Sequence, residues 1–176
     1  MAGNARQTVL LGLLTAMALL LFVVDLRFTV VPAFPGLKLG LANMVTLLAM
    51  EFFNGRAILM MVIVRTVLGT LFSGNFMGPA LVMSLSAGLI SAGGMLYGYR
   101  YLRPALSTIG ISILGAALHN FTQLSVAVWL LGSTGLYYYL PFLTISGVIS
   151  GIIIGCLAYY ASSKLTMSTE EYSIKA

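Results

Sequence analysis

Charge is what this sequence has least of. Only 7% of its 176 residues are Asp, Glu, Lys or Arg, against roughly 25% in an ordinary soluble domain. The acidic inventory is Asp25, Glu51, Glu170 and Glu171. Such scarcity excludes chemistry that gathers several carboxylates around magnesium, because that hard cation wants many oxygen ligands. One cysteine, Cys156, excludes a disulfide framework, and with a single histidine beside it the chain has neither a metal cluster nor a convincing Cys-His pair. A phosphate loop ending in GK[ST] is also missing, so ATP is not held in the manner of a motor. No catalytic residue, metal or cofactor is therefore expected. Nine basic residues bring the net charge to +5. They are scattered singly between apolar runs, which argues against nucleic acid and for membrane topology.

Hydrophobic residues make up 60% of the chain, so the expected fold is all-α, a polytopic membrane protein whose backbone polar groups are satisfied inside helices. A hydrocarbon core of about 30 Å needs around 20 residues per helix. Six runs suit it, at about 8–24, 37–53, 57–72, 79–97, 106–131 and 140–162, forming a single transmembrane domain over 1–176 with a short polar, frayed tail from 163. The first run follows Arg6 as a signal peptide would, yet it lacks a small-x-small cleavage site and is expected to stay as helix one. Asn54, Gly55 and Arg56 alone join the second and third runs, which predicts a tight helical hairpin.

With six spans, Arg6, Arg56, Arg100, Arg103, Lys164 and Lys175 fall on one side and only Arg27 and Lys38 on the other. The positive-inside rule then predicts a multi-pass protein of the plasma membrane with both termini in the cytoplasm. Tyr97, Tyr99, Tyr101 and Tyr137 to Tyr139 stand at predicted helix ends, where such rings anchor to the interface. The 19 glycines point to close helix crossings. Small-xxx-small faces occur at Gly12 and Ala16, at Gly88 and Ala92, and as a stripe at Gly147, Gly151 and Gly155. The latter two are read as intramolecular packing.

Polar groups at membrane depth are the sharper signal, since a charge at the bilayer centre costs at least about 2.5–3.5 kcal/mol. Arg65, in the middle of the third run, must face the bundle. It has two readings, contact with an anionic ligand or a packing role through carbonyls or Asp25. On the fifth run Gln123 is one turn from His119 and also neighbours Asn120, so the three can line one wall of a cavity. Lys38 and Asn43 follow the turn in Pro32 to Asn43, where a helix N-terminus favours an anion; Lys38 has the alternative of snorkelling to headgroups. The segment Ser73, Gly74 and Asn75 reads as a lid or a turn. Lys38, Asn43, Arg65, His119, Asn120 and Gln123 thus form the candidate site for a small polar or anionic substrate.

The runs PGLKLGLANMVTLL, R-x-x-L-G-x-L-F-S-G from Arg65, S-L-S-A-G from Ser84 and GISILGAALHNFTQ from Gly110 resemble the heptaprenyl diphosphate synthase component I family, also called the Gx transporter family. That family in turn resembles the substrate-binding S components of energy-coupling factor (ECF) transporters, which are small six-helix proteins. The second resemblance implies a subunit that binds a nutrient from outside and joins a transmembrane coupling protein with cytoplasmic ATPases. It also implies that Gly12 and Ala16 contact that coupling protein, glycine standing where alanine is usual. The synthase label implies another role. With one aspartate the chain cannot ionise an allylic diphosphate by itself, so its part there would be accessory, in contact with membrane lipid and a soluble enzyme.

Overall fold

The computed structural model describes residues 2–27, 40–74, 76, 78–103 and 105–174, and side chains at 5–25, 40–74, 76, 78–103 and 105–164. Among the described residues six α-helices follow one another: α1 (Ala2–Arg27), α2 (Leu41–Phe52), α3 (Gly55–Phe72), α4 (Pro79–Tyr97), α5 (Thr108–Leu131) and α6 (Leu140–Ile174). A π-helical turn, Gly98–Leu102, prolongs α4, and a 3-10 segment, Thr134–Tyr139, leads into α6. No strand occurs among the described residues.

Local chemistry sets these boundaries. The Asn54 side chain accepts a hydrogen bond from the Ala57 amide at 3.0 Å, and Ser107 accepts one from Gly110 at 3.2 Å. These caps start α3 and α5 by satisfying amides that have no partner within the helix. Pro79 opens α4 at a position where its missing N–H costs nothing. Gly132 ends α5 in the left-handed region, φ 63°. Alanine at Asn54 or at Ser107 is expected to cost about 1 kcal/mol each, read as a lower unfolding midpoint in detergent-lipid micelles.

Among the described residues, five helices are long and apolar enough to cross a membrane: those within Ala5–Asp25, Gly55–Phe72, Pro79–Leu102, Thr108–Leu131 and Thr134–Lys164. The sixth, α2, has 12 described residues, and eight of them are buried. It touches every other helix. With eight of its 12 residues buried and contacts to all five other helices, α2 is the central element and the longer helices pack about it. Neighbours around it run α1, α3, α4, α5 and α6.

Small residues carry the crossings. A Cβ at Gly151 would stand 2.8 Å from the Ile113 Cα, and one at Gly155 2.7 Å from the Ile109 Cα. The α6 stripe therefore lies directly on the α5 backbone, as the spacing predicts. On α4, Gly88 packs against Val62 of α3 and Ala92 is fully buried. Ser91 ties α4 to α5 by donating to the Gly115 carbonyl at 2.8 Å.

The largest differences from the ranges read in the sequence are at the two outer helices. α6 runs on from Leu140 to Ile174, past the end at about 162 read from the sequence. No glycine or proline follows Gly155 to stop it. At the other terminus α1 begins at Ala2 rather than near 8.

Candidate functional site

The second and third helices meet at Phe53 and Asn54, and this hairpin end provides a depth scale. Arg65 lies ten residues into α3, about 15 Å from that end at 1.5 Å per residue. The N-terminus of α2, twelve residues back from its own end, is about 18 Å away. Both sit near the middle of a core about 30 Å thick. α2 is thus a half-length helix whose N-terminus opens at membrane depth, a geometry that places a partial positive charge there.

Asp25, 3% exposed, meets that terminus: its Oδ2 accepts the Leu41 amide at 2.8 Å. Gly40, which precedes it, is in the left-handed region with φ 73° and offers no side-chain cap. The carboxylate from α1 therefore takes over the capping role from another helix. Arg65, also 3% exposed, donates from Nη1 to the Ala42 carbonyl at 2.5 Å and from Nη2 to Asn43 Oδ1 at 3.1 Å. It interacts electrostatically with Asp25. Two opposite charges and a helix terminus thus neutralise one another in a place where each alone would be costly.

Two small cavities open around this cluster. One is bordered by Asp25, Asn43, Arg65, Ser84 and His119. The other is bordered by Asn43, Ser112, His119, Asn120 and Ser150. Each measures about 20 Å³, room for a single water-sized group. Asn43 and His119 form the wall between them. Two buried atoms near this wall have no hydrogen-bond partner among the described residues, Arg65 Nε and Gln123 Oε1. Such groups are costly to leave unmet.

The structure brings together Asn43, Arg65, His119 and Asn120. Gln123 is buried at 7% exposure one turn beyond them and borders neither cavity. Lys38 lies outside the described residues. Asn120 serves packing as well, donating to the Leu143 carbonyl of α6 at 2.8 Å. Asp25 was a pairing candidate for Arg65 in the sequence; its role as the cap of α2 had no local signal, since Leu41 is sixteen positions away. Gly12 and Ala16 are exposed on α1, with nothing within 4 Å of a Cβ at Gly12. Ser73 and Gly74 form a turn after α3, and Asn75 lies outside the described residues.

A third cavity was missed. It measures about 350 Å³ and lies at the opposite end from the hairpin, between the ends of α4, α5 and α6 and the 3-10 segment. Its lining is almost wholly apolar, including Met83, Leu124, Ala127, Leu136, Phe142 and Leu143. Its residues are of the same kinds as those facing lipid, so composition could not distinguish them.

No three His, Cys, Asp or Glu side chains converge among the described residues. The arrangement can bind, orient and neutralise a small polar group, and its single carboxylate is committed to a helix terminus. These features define an all-α polytopic membrane protein with a buried polar centre at the mouth of a half-length helix. The chain belongs to the family described as heptaprenyl diphosphate synthase component I, which it matches over residues 14–161. No curated protein and no solved structure matches it.

Proposed function

We propose that this chain is the non-catalytic membrane subunit of a polyprenyl diphosphate synthase assembly, which holds a small polar or anionic group at the Asn43, Arg65, His119 and Asn120 centre. Membership of the component I family supports the assembly. The acid-poor site supports the absence of catalysis, since prenyl transfer needs magnesium and a set of carboxylates to hold it. In this reading the aspartate-rich chemistry belongs to a soluble partner, and the subunit brings that partner to the bilayer. Lys38 and Gln123 complete the proposed ligand set, and the protein sits in the plasma membrane with both termini inside.

A second reading, the substrate-binding component of an ECF-type importer, is favoured by two observations. A half-length helix with its N-terminus at mid-depth is a recurrent way for transporters to hold a substrate. Gly12 and Ala16 lie exposed on α1 and would serve a coupling protein. Gentle extraction from the native membrane followed by native mass spectrometry separates the two. Co-extraction of a soluble aspartate-rich synthase is the expected result. A coupling protein with ATPases in its place would overturn the first reading in favour of the second.

A further inference from the structure

The polar centre and the apolar chamber share a seam between α5 and α6. His119 and Asn120 border the polar cavities, and one to two turns further along the same helix Leu124 and Ala127 border the chamber. On α6 the order is matched, with Ser150 and Gly151 at the polar cavity and Phe142 and Leu143 at the chamber. The hydrogen bond from Asn120 to the Leu143 carbonyl stands between them.

Their sizes decide what could fill them. At about 20 Å³ each, the polar cavities accept one or two heavy atoms and not the body of any nutrient. The chamber, about 350 Å³, falls within the range of roughly 300–1,000 Å³ usual for small-molecule sites. Its only side-chain polar atom is the hydroxyl of Tyr139. A charged or sugar-like group placed there would lose its hydration without replacement.

We infer that the chamber bordered by Met83, Leu124, Ala127, Leu136, Phe142 and Leu143 is a binding site for the hydrocarbon tail of a single-chain amphiphile. Its small head reaches toward the His119 and Asn120 wall. The tail gains packing contacts along the chamber wall, since lipid is equally apolar, and the head gains hydrogen bonds at membrane depth. This deepens the reading above and rests on it for the head alone. The 3-10 segment, which contributes Leu136 and Tyr139, roofs the chamber. It follows Gly132, whose positive φ lets the chain turn sharply from α5.

The test is photolabelling of the full chain in nanodiscs with a dodecyl chain carrying a terminal diazirine, mapped by proteolysis and mass spectrometry. Saturable labelling is expected within 124–143, competed by a linear or a branched long-chain alcohol, whichever matches the tail. Ala127→Trp, which fills the chamber, should lower it about tenfold, a loss of about 1.4 kcal/mol. Ile149→Trp, at a site 56% exposed on α6, should leave it unchanged. Labelling at 124–143 that no alcohol competes, or that merely equals labelling at exposed Leu13 and Leu20 of α1, would mean annular lipid only and overturn the proposal. The competition arm holds even if Ala127→Trp fails to fold. His119→Ala separates the two readings: saturable chamber labelling that persists in this variant keeps the tail site and counts against the head.

Discussion

Replacing Arg65 with methionine is expected to destabilise the protein by about 3–5 kcal/mol, because it removes the cation that offsets Asp25 in the bundle. Methionine roughly preserves volume, so packing changes little and the loss reports on charge and hydrogen bonding. Two of the bonds lost are those that Arg65 donates to the Ala42 carbonyl and to Asn43. Both lie in the first turn of α2, so that turn should lose hydrogen-exchange protection before the rest of the bundle. Asp25→Asn in the same background removes the opposing charge while keeping an acceptor for the Leu41 amide. The double variant should therefore recover part of the loss, with a coupling of about 0.5–3 kcal/mol. Reversible unfolding of the four proteins in mixed micelles measures this cycle, and additive losses would show that the two charges act independently. The same reasoning changes which variant tests ligand binding. Arg65 carries the attachment of α2 to α3, so its loss confuses folding with affinity. His119 borders both polar cavities and is the cleaner site: His119→Ala should weaken retention of the ligand by about tenfold, the loss of one hydrogen bond to a polar group, with the unfolding midpoint little changed.

Much of this architecture was legible because membrane helices announce themselves by composition. Five apolar runs, the tight hairpin at Asn54 and the inward-facing Arg65 all follow from the cost of polar groups in lipid. The status of α2 did not follow. A mostly apolar run has the same composition whether it faces lipid or sits at the centre of a bundle, and the burial of eight of its 12 residues tells the two apart. The grouping of Asn43 with Arg65 and His119 was readable as a set of polar groups on three helices. What the sequence could not say is how their donors are spent. Two of the Arg65 nitrogens are taken by α2, and Asn120 is taken by α6, so the ligand-facing capacity is smaller than six polar residues suggest. The chamber was illegible for a related reason. Four elements contribute to it, and each of its residues looks like an ordinary lipid-facing side chain.

Alanine at Gly151 or Gly155 should have the opposite sign from alanine at Gly12, although all three glycines lie within helices. Propensity alone would favour each change by about 0.8–1 kcal/mol. At Gly12 nothing stands within 4 Å of the added carbon, so that gain should appear in full. At Gly151 and Gly155 the new methyl meets the Ile113 and Ile109 Cα atoms at 2.8 and 2.7 Å. Backbone cannot rotate aside, so α5 and α6 must separate, at a cost of about 1–3 kcal/mol for overpacking. Gly147 is the intermediate case. A methyl there meets the Asn120 Nδ2 at 2.7 Å, and a side chain can yield, but only by breaking its bond to Leu143. Gly147→Ala should thus leave stability within about 1 kcal/mol of the parent, near the net worth of one hydrogen bond. It should also open the partition between the polar cavity and the apolar chamber. Unfolding midpoints in micelles, taken for the four single variants, test the ordering Gly12, Gly147, then Gly151 and Gly155. Equal midpoints would mean that the stripe is not a backbone contact. A larger loss of ligand in Gly147→Ala than its stability change explains would tie the crossing of α5 and α6 to the shape of the site itself.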